Sequence, residues 1–161
     1  MDIFKFAIQM EKDGEKFYRD QAEQCRDEGL KNILIMLADE EVEHYGIIEQ
    51  MRERADNPVK AKSTLIESVK NVFVEMKDKQ QGFRVQASQA DFYRKAQEIE
   101  EKSMKFYLDR AQESEGANKD IFDQLAEEER KHLHLMESLV EFVTRPDQWI
   151  ENAEWHHLDE L

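Results

Sequence analysis

The sequence predicts an all-α protein: a four-helix bundle of two antiparallel hairpins joined by a long crossover, followed by a short C-terminal tail. Three observations predict it. Helix-forming residues dominate a chain of 161 that holds only 5 Gly and 2 Pro. Apolar residues recur at three- and four-residue intervals through four long stretches, the helical period. Finally, the second half of the chain repeats the first.

The first helix is expected over 3–25 and the second over 30–54. Asp27, Glu28 and Gly29 between them make a polar break suited to an antiparallel hairpin. Pro58 marks the start of a connection over about 55–88, which carries a shorter amphipathic piece (Leu65, Val69, Val72, Phe73, Met76). The third helix is expected over 89–112 and the fourth over 119–144, with Glu115 and Gly116 between them. Pro146 stops the fourth helix, so residues 1–145 form the bundle and 146–161 a tail with Trp149 and Trp155. A coiled-coil rod is the alternative, and the breaks at Gly29, Pro58 and Gly116 argue against it.

The formal net charge of −14 argues against nucleic acid or an anionic membrane as partner. Charged residues are 37% of the chain, yet 40% is hydrophobic and regularly spaced, so a packed core is expected rather than disorder. Cys25 is the only cysteine, which leaves no disulfide framework and no Cys-x-x-Cys metal site. The N-terminal segment shows no signal-peptide pattern and no apolar run spans a bilayer, so the expected location is the cytoplasm.

The chemistry lies in the repeat. Ala7-x-x-x-Glu11-x-x-Gly14-x-x-Phe17-Tyr18 returns as Ala96-x-x-x-Glu100-x-x-Ser103-x-x-Phe106-Tyr107, 89 residues on. Leu37-Ala38-Asp39-Glu40-Glu41-Val42-Glu43-His44 returns 88 residues on as Leu125-Ala126-Glu127-Glu128-Glu129-Arg130-Lys131-His132. The inward-facing row of each helix is apolar or small except near its middle, where Glu11, Glu41, His44, Glu100, Glu129 and His132 fall. A buried ionised carboxylate is costly without a partner, and two divalent cations would neutralise four of them.

Register agrees independently. The midpoint between Glu11 and the Glu41/His44 pair falls near Asp27, and that between Glu100 and the Glu129/His132 pair near Glu115. Both lie in the proposed turns, so all six side chains are expected in one layer. Glu and His three apart share a helix face. One Glu from each of two helices and Glu-x-x-His from each of the other two is the inward-facing recipe for a di-metal carboxylate site. Buried Glu–His salt bridges would explain one hairpin but not the symmetry of both. The mixed oxygen and imidazole set suits iron or manganese, while zinc can bind but does no redox work.

Other residues carry weaker signals. Tyr18 and Tyr107, two turns beyond Glu11 and Glu100, are candidates to hydrogen-bond a ligand or shuttle charge, with core packing as the alternative. Glu15 is a candidate spare ligand or a solvated residue. His134 reads as surface, His156 and His157 as a tail pair, Cys25 as a buried small residue, and Met36, Met51, Met104 and Met136 as core filling.

On the two repeated motifs, Glu11…Glu41-Val42-Glu43-His44 and Glu100…Glu129-Arg130-Lys131-His132, the chain over about 1–145 resembles the rubrerythrin branch of the ferritin-like superfamily, with a site arranged as in bacterioferritin. The resemblance implies two irons bridged by Glu41 and Glu129, with Glu11 and Glu100 as terminal ligands and one histidine on each. It also implies a di-iron oxidoreductase that reduces hydrogen peroxide or dioxygen. Two features depart from the family pattern. Rubrerythrins with peroxidase activity usually carry a four-cysteine rubredoxin-like domain, so a separate donor such as a rubredoxin is expected to supply electrons here. The additional Glu that rubrerythrins tend to offer one turn after the third-helix ligand is Ser103, which makes the site more symmetric. A ferroxidase or iron-handling role is the alternative function, a relic site on an interaction module a third, and a homodimer the expected assembly.

Overall fold

The computed structural model describes residues 2–53, 63–79 and 88–158. Along them run α1 (Ile3–Gln24), α2 (Glu28–Arg52), α3 (Leu65–Lys79), α4 (Ser88–Gln112), α5 (Gly116–Thr144) and α6 (Pro146–Glu151), followed by a 3₁₀ turn at Glu154–His157. The chain is an all-α bundle. The expected break at Pro58 lies outside the described residues.

Local chemistry sets the helix ends. The Asp2 side chain accepts from the backbone N–H groups of Phe4 and Lys5, capping α1. Asp27 caps α2 by accepting from the Leu30 N–H at 3.0 Å. That cap draws Glu28 and Gly29 into the helix, so the polar break is shorter than expected and Cys25 takes its extended start. In the second hairpin α5 begins three residues earlier than the periodicity indicates. Gly116 opens it with φ of +64°, the left-handed conformation that a residue with a Cβ adopts only under strain.

α1 packs along α2 and α4 along α5, giving the two hairpins. Aromatic pairs join α1 to α4: Phe17 stacks on Phe92 with ring centres 4.6 Å apart, and Phe6 meets Phe106 at 5.2 Å. The core forms two apolar clusters. One contains Leu37, Ala96 and Leu135, together with α3 and the segment after Pro146; the other contains Ala7, Ile48 and Leu125. Along each of the four long helices the six candidate ligands fall between these clusters.

The segment after Pro146 is tightly packed. Trp149 is 2% exposed and meets the rings of Phe73 and Phe142, and Trp155 joins the same cluster. The amphipathic piece read between 55 and 88 is α3, and all five of its apolar positions are buried. Cys25, Met51 and Met136 are buried as expected, whereas Met36 and Met104 are only half-buried. Among the described residues no helix is long and apolar enough to cross a membrane.

Candidate metal centre

Helical spacing aims the ligand row inward. Glu11 comes from α1, Glu41 and His44 from successive turns of α2, Glu100 from α4, and Glu129 and His132 from successive turns of α5. All six side chains are buried, with exposures from 0% to 5%. They form two overlapping groups, Glu11, Glu41, His44, Glu129 and Glu41, Glu100, Glu129, His132, each with one donor atom per residue within 4.8 Å of the others. Glu41 and Glu129 belong to both.

Each histidine turns Nδ1 toward the terminal glutamate of its own hairpin and the shared glutamate of the other. His44 Nδ1 lies 3.5 Å from Glu11 and 3.2 Å from Glu129. His132 Nδ1 lies 3.5 Å from Glu100 and 3.6 Å from Glu41. The imidazole rings stack 5.5 Å apart, nearly parallel.

Such a layer is unstable in fully ionised form, and the protonation pattern shows how the metal-free chain tolerates it. Burial, with the charges of Glu11 and Glu129, pushes the Glu41 carboxyl well above its ordinary range. Burial, with the charges of Glu11 and Glu100, does the same to Glu129. For Glu11 burial pushes upward, but the neighbouring His44 cation and hydrogen bonds carry it down to about 2. Burial opposes the charged form of His44, yet Glu11 outweighs it and raises the imidazole to about 9. Glu100 is lowered and His132 raised by the same opposition. Raised imidazoles beside lowered carboxyls, together with the raised carboxyls of Glu41 and Glu129, reduce the charge that the layer would carry if every carboxyl were ionised. Glu11 Oε2, Glu129 Oε2 and both ring nitrogens of His132 remain buried without a hydrogen-bond partner from the protein. Buried oxygen and imidazole donors left unpaired in one buried layer fit a pair of metal ions.

The tyrosines reach across. The Tyr18 hydroxyl donates to Glu100, and the Tyr107 hydroxyl to Glu11, so each serves the terminal glutamate of the opposite hairpin. Burial and then the charge of the bonded carboxylate push both phenols well above their ordinary range. They therefore stay protonated as donors.

Several residues with less obvious signals also shape the centre. A Cβ on Gly14 would stand 3.0 Å from Glu41 Oε2 and 3.2 Å from its carboxyl carbon. Glycine there gives the shared carboxylate its room. Glu40 and Glu128, each one residue before a shared glutamate, are also buried. The Ser63 hydroxyl donates to Glu40 and accepts from the Leu65 N–H at 3.0 Å, so one side chain starts α3 and ties it to α2. Glu128 instead has Lys131 at 3.4 Å and keeps Oε2 unpaired. Only their place in the repeat marked these two glutamates in the sequence.

Glu15 is absent from both ligand groups; it accepts from Arg19 at 2.7 Å and Tyr45 at 3.4 Å. His134 is half-buried rather than on the open surface, 3.8 Å from Glu137. His156 lies against Trp155 and, like His157, belongs to neither group.

A family model described as Rubrerythrin matches residues 2–140. No curated protein and no solved structure matches significantly.

Proposed function

The chain belongs to the rubrerythrin family, and from that premise we propose a di-iron oxidoreductase that reduces hydrogen peroxide or dioxygen with electrons from a separate donor protein. One observation carries the reading. Six buried side chains from four helices form two overlapping donor groups that share Glu41 and Glu129.

In this reading Glu11, Glu41, His44 and Glu129 would hold one ion and Glu41, Glu100, Glu129 and His132 the other, each histidine offering Nδ1. When bound, two irons that each change by one electron supply the pair that converts a peroxide and two protons into two molecules of water. The chain's residues do the rest. The four carboxylates would balance the charge of the ions. Tyr18 and Tyr107 hold Glu100 and Glu11 in place, and their phenolic protons are the nearest hydroxyl donors on those ligands. The apolar clusters on either side exclude bulk water from the layer.

Ser103 supports a second reading. With serine at the position of the additional glutamate the two halves of the site match, as a ferroxidase that passes iron onward would have them. We favour a cytoplasmic homodimer in either case.

The test is metal content per chain by mass spectrometry, for wild type beside Glu41→Ala and Glu129→Ala, joined to peroxide consumption. Two irons per chain, lost in both variants, with peroxide consumed faster than by iron in solution, support the proposal. Retention of metal in both variants means that the carboxylates are ordinary buried pairs. Peroxide consumption no faster than that of free iron leaves the ferroxidase reading, and size-exclusion chromatography then separates a dimer from a storage shell.

A further inference from the structure

α3 packs on α2 and α6 on α5, whereas the seam between α1 and α4 keeps apolar side chains at its surface. At one end Phe6, 46% exposed, lies against the half-buried Phe106. At the other the half-buried rings of Phe17 and Phe92 stack. Met10 and Ile99, also half-buried, fall between them along α1 and α4. The two ring pairs also fix the register: α1 and α4 run antiparallel, with Phe6 level with Phe106 and Phe17 with Phe92. Asp13 stands four residues before Phe17 and Lys95 three after Phe92, so these opposite charges are level as well, on opposite sides of the seam. Both are exposed. Asp13 accepts from Gln9 at 2.9 Å, and the Lys95 ammonium stands 6.0 Å over the Phe17 ring. Neither has an ion-pair partner among the described residues.

We propose that this seam is the contact face between two copies of the chain, related by a twofold axis that runs along it; this rests on the homodimer favoured above and names the face that forms it. Half a turn about that axis lays α1 of one copy on α4 of the other at the same level. Every pair that is level within one chain then meets across the interface, and does so twice. Phe6 covers Phe106, Met10 meets Ile99, and Phe17 meets Phe92. Asp13 of each copy comes within reach of Lys95 of the other. Each α1 is antiparallel to both of its α4 neighbours, the arrangement of an up-down bundle. Charge selects a second copy as the occupant. With a formal net charge of −14, two copies repel over most of their surfaces. On this face one helix carries the acid and the other the base at one level, so a copy turned about the seam is complementary to it. A partner of a single charge sign would satisfy either Asp13 or Lys95 and oppose the other. An uncovered apolar stripe flanked by polar residues is the ordinary mark of such a contact.

The test is sedimentation equilibrium of the full chain over a range of concentrations, with circular dichroism to confirm that each variant keeps its helices. Phe6→Glu is expected to raise the dimer dissociation constant at least about thirtyfold, the effect of losing a buried aromatic anchor. Asp13→Lys and Lys95→Asp are each expected to raise it about tenfold, because like charges then face each other at two places. The two together restore opposite charges and should return it to within about threefold of wild type. Leu108→Glu, two residues from Phe106 and so turned to the other flank of α4, is the control and should leave it unchanged. A wild-type dimer that Phe6→Glu and both charge reversals leave intact overturns this face while the homodimer stands. Single reversals that weaken the dimer without rescue by the pair overturn the proposed axis, and weakening by Leu108→Glu as large as that by Phe6→Glu overturns the face. A wild-type chain that is monomeric throughout overturns both the face and the homodimer.

Discussion

Glu40 and Glu128 occupy corresponding places in the two hairpins, each one residue before a shared glutamate, and their surroundings have diverged. Glu40 is satisfied by Ser63 at the start of α3, whereas Glu128 borders a solvent-open cavity and leaves an oxygen unpaired. One step inward the symmetry is close. Glu11 matches Glu100, Glu41 matches Glu129, His44 matches His132, and the two tyrosine hydrogen bonds cross between hairpins in mirror fashion. The repeat is thus kept in the buried Glu/His layer and lost at the glutamates just outside it.

The largest effects should come from the matched layer. His44→Ala and His132→Ala should each weaken metal binding by more than the roughly 10- to 100-fold typical of an outer-shell loss. Titration followed by mass spectrometry checks this, and a marked difference between the two variants would break the symmetry. Gly14→Ala and Ser103→Ala sharpen the comparison. The first presses a methyl group on Glu41 and should lower metal affinity about 10-fold or more, as displacement of a ligand by neighbouring atoms does. Ser103→Ala only trims a hydroxyl and should leave metal affinity near wild type by the same titration.

The protonation pattern gives a pH test with a definite sign. His44 is raised to about 9 from an ordinary 6.5, so its contribution to stability is complete below about 6.5 and is lost as pH rises toward 9. The raised carboxyls of Glu41 and Glu129 act in the same direction, since ionising them in the folded chain is costly. Glu11, lowered to about 2, acts oppositely, and its contribution is lost only as pH falls from about 4.5 toward 2. Thermal unfolding of the metal-free chain should therefore shift to lower temperature between pH 6.5 and 9. The metal-loaded chain should not follow, because loading has already displaced those protons.

Smaller effects probe the cross-links. Tyr18→Phe and Tyr107→Phe should each cost about 1–3 kcal/mol by removing a donor from a buried carboxylate, with the two values alike in urea denaturation. Ser63→Ala should cost about 1 kcal/mol, and Glu128→Gln less, because Glu128 pairs only with a half-exposed Lys131. If Glu128→Gln costs more than Ser63→Ala, the two outer faces are more alike than their hydrogen bonds indicate.

Much of this was legible beforehand. Glu11 and the Glu41/His44 pair are level because Asp27 stands midway, and Asp27 is indeed the cap that starts α2. Glu115 plays the same part before α5, although its side chain makes no cap hydrogen bond there. The burial of Glu40 and Glu128 was not legible, because both lie outside the inward row, and the Ser63 that meets Glu40 is distant in sequence. The tail was underread for a similar reason: Trp149 and Trp155 carry no periodic pattern in so short a segment, yet α3 and α5 provide rings for Trp149 to pack against.

The sequence by itself determined the helices, their hairpin pairing and the membership of the buried Glu/His layer, because spacing along a helix dictates which side chains share a face. Only the tertiary structure decided that Tyr18 serves Glu100 and Tyr107 serves Glu11, and that Gly14 leaves room for Glu41. Those contacts depend on how far each helix is turned and shifted against its neighbours. That placement is a property of the packed core, and no local spacing encodes it.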